Sequence, residues 1–299
     1  YKKKFWRANR NESPGGAIAG LGIHMIDLMC FFGGEVKSVQ ALVKKYAVKI
    51  NIDDTTSAIF ELKKKYVPDV IVANAENAAS GYGLTKKIAL ELFQLGVNVI
   101  TLGNHAWDQR EMLSYIEECP KIIRPINYPK NVPGRGEYKF VLEDGRSIIV
   151  IQVMLRLFMN MSLDDPFALV KARLQSEFIG STCNGILIDM HGEATSEKNA
   201  FGHFVDGKVT AVLGTHTHIP TADAKILQNG TAYQTDVGMS GDYNSVIGMD
   251  KENPIHGFTK GFRSEGRFTP AKGEGNLCGV YVKSNDTNGL AEKIEMFHL

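Results

Sequence analysis

Side chains that can bind metal ions or move protons follow four apolar segments of the chain. The four groups are Asn74-Ala-Glu76-Asn77, Gly103-Asn104-His105, Asp189-Met-His191 and Gly214-Thr-His216-Thr-His218. Imidazole nitrogens together with carboxylate and amide oxygens form a ligand set that suits Mn, Fe or Zn. A lone histidine at a strand end is more often a hydrogen-bonded structural residue, and a lone Asn-Glu-Asn is usually a turn. Four such groups after four apolar segments favour a shared metal site.

Buried strands must carry these side chains to one place. The apolar segments before them are short and continuous, which is typical of buried parallel strands. Ligands bind at the carboxyl ends of the strands in open α/β sheets. His216 and His218 are two residues apart, so both can face one centre only if the chain bends there, and Gly214 permits such a bend. The sequence therefore predicts a parallel sheet with a site at the carboxyl edge.

Elsewhere the sequence predicts alternating helices and strands, which implies a mixed α/β fold. Helices are expected from Thr85 to Leu95, from Trp107 to Glu118 and from Asp165 to about Phe178. Further strands are expected at 36–43, 47–52, 56–62, 138–142, 147–154, 278–283 and 294–299, with a hairpin over 227–233.

The composition excludes several classes of protein. The chain has 299 residues, of which 43% are hydrophobic and 22% charged, so it is globular and not disordered. A formal net charge of +1 argues against a nucleic-acid polymer or a membrane surface as partner. The most apolar stretch, 17–32, contains His24 and Asp27 and is too polar to span a bilayer. Four widely spaced cysteines predict reduced thiols in a cytoplasmic protein.

Longer motifs around the polar groups resemble the YmdB-type family of calcineurin-like metallophosphoesterases. The matching motifs are Asn74–Ala79, Thr101–Asp108, Arg124–Asn127, Leu163–Phe167, His191–Lys198, Gly214–Asp223 and Thr235–Met239. The resemblance implies a four-layer α/β/β/α sandwich and a centre of two divalent ions of the Fe, Mn or Mg class. It also implies hydrolysis of cyclic nucleotides, 2′,3′-cyclic ones and 3′,5′-cyclic ones among them, and a homo-oligomer.

The resemblance also implies a role for each polar residue. The implied metal ligands are Glu76, Asn77, Asn104, His191, His216 and His218. Glu76 would be shared by the two metals, and His218 would bind the second one with Asn77 beside it. His105 would protonate the leaving oxygen on the side of the phosphate opposite the attacking water.

One ligand of the family has no counterpart in this chain. The family begins with a strand that ends in a Gly-Asp-x-x-Gly turn, about thirty residues before its Glu, and that Asp binds the first metal. Residues 42–48 contain no Asp. Asp53 and Asp54 are the nearest substitutes, although Asp-Asp-Thr-Thr is more typical of an ordinary turn. We therefore expect a sandwich without its usual first strand, and either two ions or one. A second departure is Leu155, where the family is expected to carry Gly.

The N-terminal segment resembles a different family, the C-terminal domain of Gfo/Idh/MocA-type oxidoreductases. The resemblance rests on residues 15–28, 33–39 and 53–60, and it makes His24 the counterpart of a substrate-site histidine. The chain contains no GxGxxG fingerprint, so hydride transfer has no cofactor site. The predicted division is an α+β fragment over 1–62 and a metallophosphoesterase domain over 63–299.

Four functions compete on this basis. The first is a metal-dependent phosphodiesterase acting on cyclic nucleotides, impaired by the loss of the first Asp. The second is a catalytically dead scaffold that holds one ion. The third is a remnant NAD(P)-dependent oxidoreductase fragment, and the fourth is a chimera that folds poorly because a central strand is missing. Metal stoichiometry measured together with turnover separates the first two.

Overall fold

The computed structural model describes residues 35–44, 55–63, 68–262 and 268–298, the first two ranges as backbone only. The chain divides into two compact units, Tyr1–Asp69 and Val70–Leu299. In the first unit, β1 (Glu35–Lys44) and β2 (Thr55–Lys63) form an antiparallel pair with a bulge between Val36 and Ser38. These are the strands expected at 36–43 and 56–62. The strand expected at 47–52, and the residues His24, Asp27, Asp53 and Asp54, lie outside the described residues.

The second unit alternates strands and helices, as expected. Its elements are β3 (Val72–Asn74), α1 (Lys86–Gln94), β4 (Val99–Thr101), α2 (Met112–Glu118), β5 (Ile122–Ile123), β6 (Glu137–Val141), β7 (Ser147–Met154), α3 (Pro166–Arg173), β8 (Gly185–His191), α4 (Thr195–Val205), β9 (Ala211–Thr215), β10 (Lys225–Ile226), β11 (Ala232–Gln234), α5 (Glu252–Lys260), β12 (Cys278–Ser284) and β13 (Ala291–His298). The strands form a parallel sheet in the order β3-β4-β5, a mixed sheet in the order β10-β11-β9-β8-β7-β6, and the hairpin β12-β13.

Three apolar clusters stack these elements into layers. Successive residues of a strand face opposite sides, and the strands of both sheets use both sides. Val150 of β7 packs with Val99 of β4 and Ile123 of β5, which joins the two sheets. The other faces of the sheets pack against helices, with α1 and α2 on one side and α3 and α4 on the other. The expected four-layer α/β/β/α order is confirmed.

Two expected helices are shorter in the structure. The helix expected from Trp107 begins at Met112, because the preceding residues form turns in which His105 bonds Asp108. The helix expected to reach Phe178 ends at Arg173, because the Thr182 hydroxyl bonds the backbone of Phe178 in a separate turn. The helices α4 and α5 were not expected from the sequence. Among the described residues, no helix has the length and apolar character needed to cross a bilayer.

Candidate metal centre

The register of the sheets brings the polar groups to one edge. Gln152 of β7 lies opposite Asp189 of β8, and His191 of β8 lies opposite Thr215 of β9. Asn74 ends β3, and the Gly103-Asn104-His105 segment follows β4, its parallel neighbour. Parallel strands end at the same edge of their sheet, and the packing of Val150 on Val99 and Ile123 holds the two sheets together. The four groups, separated by up to 144 positions in sequence (74 to 218), thereby reach one region.

Four of the implied ligands converge there. Glu76, His191 and His216 each offer a ligand atom, and these atoms all lie within 4.8 Å of one another. His191 Nε2 lies 3.3 Å from Glu76 Oε1 and 2.8 Å from Asn104 Oδ1. Glu76 and His191 are both buried, at 2% and 0% exposure. The arrangement has the donor types and the spacing of a metal site.

The tautomer of His191 follows from its other neighbours. The Thr215 hydroxyl donates to Asp189 Oδ1 at 2.6 Å, so its oxygen accepts from His191 Nδ1 at 2.9 Å. Burial raises the pKa of Asp189, and the hydrogen bonds that Gln152 and Asn74 donate to its Oδ2 at 2.9 Å and 3.2 Å oppose this effect and favour the ionised carboxylate. His191 Nε2 is thereby left with a lone pair.

That lone pair faces two more acceptors, and this is the feature that indicates a cation. Asn104 Oδ1 and Glu76 Oε1 both present lone pairs to the lone pair of His191 Nε2. Acceptors at hydrogen-bond distance around a buried imidazole repel it unless a positive charge is shared among them. A divalent ion supplies that charge, and in its absence a proton on Glu76 does so. The residues present therefore fit a metal ion.

The pKa values agree with this assignment. Burial raises the pKa of Glu76 to about 8, and the nearby Asp189 charge adds to the effect. Burial lowers the pKa of His191 well below its ordinary value and also lowers the pKa of His216. Both imidazoles are therefore neutral near pH 7, which is the form that binds a metal.

Glu76 should make the metal-free protein less stable as the pH rises. Its pKa is higher in the folded state than the ordinary value of 4.5, so its stabilising effect is complete below 4.5 and is lost toward pH 8. Gln cannot ionise. With the metal chelated, the free energy of unfolding of Glu76→Gln should therefore increase relative to that of the wild type, by up to about 1.4 kcal/mol for each pH unit between 4.5 and about 8. Urea unfolding of both proteins at several pH values measures the difference, and a difference that does not change with pH would contradict the assignment.

The two histidines that follow β9 have strained backbone conformations. His216 has φ 108° and His218 has φ 67°, a region that costs a residue other than glycine about 1–3 kcal/mol. The bend is therefore made by the histidines themselves and not by Gly214. Gly214 is needed for another reason, because a Cβ there would collide with the carbonyl oxygen of Thr235.

A buried ion pair brackets His216. Lys198 of α4 donates from Nζ to the carbonyl oxygen of Thr215 and to Asp236 Oδ2, both at 2.8 Å. The same Asp236 oxygen accepts from the backbone N–H of Thr217 at 3.0 Å. The Lys198 and Asp236 side chains are 0% and 1% exposed. The pair holds the residues on both sides of His216 and so keeps its strained backbone in place.

Apolar replacement of this pair should separate its effect on the site from its effect on stability. Lys198→Met alone leaves the Asp236 charge buried without its partner, which costs about 3–5 kcal/mol. Lys198→Met combined with Asp236→Leu removes both charges, and such a replacement is often neutral or stabilising. The double variant should therefore be more stable than Lys198→Met alone, although the Thr217 and Gly238 N–H groups lose their acceptor and keep it below the wild type. It should bind Mn²⁺ at least about 10-fold more weakly, because Thr215 and Thr217 are no longer held.

Urea unfolding and Mn²⁺ titration of chelated protein measure these two effects. The matched control is the double change Arg173→Met with Glu137→Leu, which removes an ion pair between α3 and β6. The control should keep the Mn²⁺ affinity of the wild type. A Lys198→Met, Asp236→Leu variant with the same affinity would show that the pair does not position His216.

His105 lies beside this cluster and has its own partner. Its Nδ1 is 2.7 Å from Asp108 Oδ2, and its ring meets Tyr82 edge-on with centroids 5.5 Å apart. An Nδ1–H that donates to the carboxylate leaves Nε2 available to a bound molecule. His105 lines an open cavity of about 470 Å³ together with Asn104 and His216. The position suits a group that exchanges a proton with a ligand.

Asn77 and His218 lie outside the converging group. The Asn77 amide donates to the Gly81 carbonyl oxygen at 2.8 Å, and His218 Nδ1 lies 2.9 Å from the carbonyl oxygen of Ile247. The His218 contact fixes the proton on Nδ1 and leaves Nε2 with a lone pair, as a metal-binding imidazole requires.

Two glycines accommodate their neighbours at the site. A Cβ on Gly103 would collide with the Glu76 carboxylate, and it would lie 2.6 Å from His191 Cε1. A Cβ on Gly192 would lie 2.7 Å from Leu155 Cβ. The fully buried Leu155, the residue that departs from the family pattern, therefore packs where residue 192 has no side chain.

Several supporting residues could not be found from the sequence. They are Gln152, Glu193, Thr215, Lys198 and Asp236. Glu193 Oε2 lies 3.3 Å from His216 Nε2, two residues after His191 in the chain. Glu193 and Lys198 lie within the motif His191–Lys198, but their residue types and spacing alone do not show which groups they would contact.

Comparison with known protein families matches two parts of the chain. The family described as YmdB-like protein matches residues 51–297, and the GFO/IDH/MocA C-terminal domain matches residues 2–84. The chain is 46% identical over 238 residues to the 2′,3′-cyclic-nucleotide 2′-phosphodiesterase of Bacillus subtilis. That match covers 79% of this chain and 87% of the relative.

Two solved structures resemble the fold. A hypothetical protein from Thermus thermophilus matches with a TM-score of 0.71 and 40% identity, over 78% of this chain and 88% of that one. A phosphatase from Mycoplasma pneumoniae matches with a TM-score of 0.71 and 34% identity, over 77% of this chain and 82% of that one. At these identities, each of the two proteins resembles this chain in sequence as well as in fold.

Proposed function

Because the chain belongs to the YmdB-like family, we propose that it is a metal-dependent phosphodiesterase that hydrolyses cyclic nucleotides, 2′,3′-cyclic ones among them. The activity for which the Bacillus subtilis relative is named supports this substrate class. The observation that carries the proposal is the convergence of His191 Nε2, Asn104 Oδ1 and Glu76 Oε1, three acceptors that require a shared positive charge.

Different residues of the chain would bind the metal ion and transfer the proton during hydrolysis. Glu76, Asn104, His191 and His216 would hold one divalent ion, and Asn104 adds an oxygen ligand without adding charge. When bound, such an ion would polarise the phosphate and make water a better nucleophile at neutral pH. His105, held by Asp108, would donate a proton to the ribose oxygen as the P–O bond breaks.

The number of ions stays a prediction. Glu76, His218 and Asn77 would hold a second ion, but neither β1 nor β2 contains an Asp that could replace the missing ligand. A chain with the first 62 residues replaced by a Gly-Asp-x-x-Gly strand and its helix should therefore bind two ions and turn over faster. Equal metal content and equal activity of the two chains would contradict a defect caused by the N-terminal segment.

The proposed activity is tested on the full chain. Purified protein is chelated, reloaded with Mn²⁺ or Fe²⁺, and incubated with 2′,3′-cyclic AMP. We expect hydrolysis that depends on the metal. Metal binding without hydrolysis would instead favour the catalytically dead scaffold.

Location and assembly complete the proposal. We place the protein in the cytoplasm, where reduced thiols are usual, and Cys119, Cys183 and Cys278 are free. The homo-oligomer implied by the family remains a prediction that size-exclusion chromatography with light scattering tests.

A further inference from the structure

The cavity beside the candidate metal centre is lined by two chemically different groups of residues. Asn104, His105, Asp108 and His216 belong to the first group, and the segment 159–161 adds Met159, Asn160 and Met161 to the wall. We propose that the segment 159–161 is a subsite for the nucleobase of the substrate. This inference rests on the proposed function and specifies how that site would select a nucleoside cyclic phosphate over other phosphodiesters.

Packing and backbone hydrogen bonds hold the segment 159–161 in place. Met159 is 8% exposed and packs with Tyr128 and Met154. Its backbone N–H donates to the Arg156 carbonyl oxygen at 3.1 Å, and Met161 N–H donates to the Met159 carbonyl oxygen at 2.7 Å. A wall held in this way can present a fixed surface to a ligand.

The exposed part of the wall suits a flat, neutral, hydrogen-bonding group. Met161 is half-buried, with Sδ 3.9 Å from the Tyr128 hydroxyl, and thioethers make favourable contacts with aromatic rings. Asn160 is exposed, and its amide has no hydrogen-bond partner among the described residues. An amide offers both donors and an acceptor, as the edge of a nucleobase requires.

The charges of the cavity favour the same orientation, because its acidic side chain, Asp108, is already bound to His105 Nδ1 at 2.7 Å. The segment 159–161 carries no charge, so it offers nothing to a second phosphate. The phosphate belongs at Glu76, His191 and His216, where a cation would lie. His105 lines the same cavity as the neutral wall, so a ribose bound between its phosphate and its base would pass close to this imidazole.

The test compares two substrates that differ only in the base. They are 2′,3′-cyclic AMP and 1-O-methyl-ribose 2′,3′-cyclic phosphate, in which a methoxy group replaces adenine. Asn160→Ala should raise KM for the nucleotide by about 3- to 10-fold, the size of one lost hydrogen bond. It should leave kcat/KM for the base-free substrate within about 2-fold. Asn131→Ala, the same change at an exposed loop position outside the cavity, is the matched control.

The outcomes separate the subsite from the activity. Equal effects of Asn160→Ala on both substrates, or no effect on either, would overturn the subsite while the phosphodiesterase stands. If the wild type hydrolyses neither substrate, the proposed function fails. The subsite is then tested by measuring equilibrium binding of ligands with and without a base. In that case Asn160→Ala should weaken binding of adenosine 3′-monophosphate and not of ribose 5-phosphate, and equal weakening would overturn it.

Discussion

Replacing His191 with alanine is expected to abolish metal-dependent hydrolysis and to remove the bound ion. His191 supplies the nitrogen lone pair at the centre of the converging acceptors, within 3.3 Å of both Glu76 Oε1 and Asn104 Oδ1. Loss of a residue that only hydrogen-bonds to a metal ligand already costs about 10- to 100-fold in metal affinity or activity. Loss of the ligand itself should cost at least about 100-fold in both.

The control for this variant is His203→Ala. His203 lies on α4 and is exposed, so the same change there should leave metal content and turnover unaltered. Because His191 is buried, the circular dichroism and urea midpoint of His191→Ala must show that it folds. A folded His191→Ala protein that keeps its metal and its activity would place the site elsewhere.

Replacing His105 with alanine should have an equally large effect on turnover but none on metal content. A positioned acid contributes about 10²–10⁴-fold, so kcat for 2′,3′-cyclic AMP should fall by that factor. His105 is not among the residues whose ligand atoms converge, so the ion should stay. Metal analysis and kinetics on the same sample measure both quantities.

A second substrate distinguishes an acid from a binding residue. A p-nitrophenyl phosphodiester has a leaving group that needs little protonation, so His105→Ala should slow its hydrolysis much less. Asp108→Asn keeps the imidazole but removes the carboxylate 2.7 Å from Nδ1, and it should give a smaller loss with an altered pH profile. Loss of metal in His105→Ala, or equal slowing of both substrates, would contradict the role as an acid.

Local patterns were sufficient to predict much of this site. Short apolar segments each followed by polar groups indicated that Glu76, Asn104, His191 and His216 would lie at the carboxyl ends of buried strands, because strand direction determines where such residues lie. The four layers were expected only from the family resemblance, and local patterns did not show that these strands belong to two sheets. Thr85 was correctly expected to cap α1, since its hydroxyl accepts from Ile88 N–H at 3.3 Å.

The remaining features depend on contacts between distant parts of the chain. The tautomer of His191 depends on Thr215, which is 24 positions away and lies opposite it only through the register of β8 and β9. Lys198 and Asp236 are 38 positions apart, and a buried ion pair has no local sequence signature. The turns that shorten α2 and α3 arise from side-chain hydrogen bonds that compete with the helix.

We expect a metal ion to lie among Glu76, Asn104, His191 and His216. Anomalous diffraction from crystals of the full chain grown with Mn²⁺, recorded near the manganese absorption edge, tests it most directly. We predict a peak about 2.0–2.3 Å from His191 Nε2 and from the facing oxygens of Asn104 and Glu76. The absence of a peak at these atoms in crystals soaked to saturation, or a peak bound only by other residues, would contradict it.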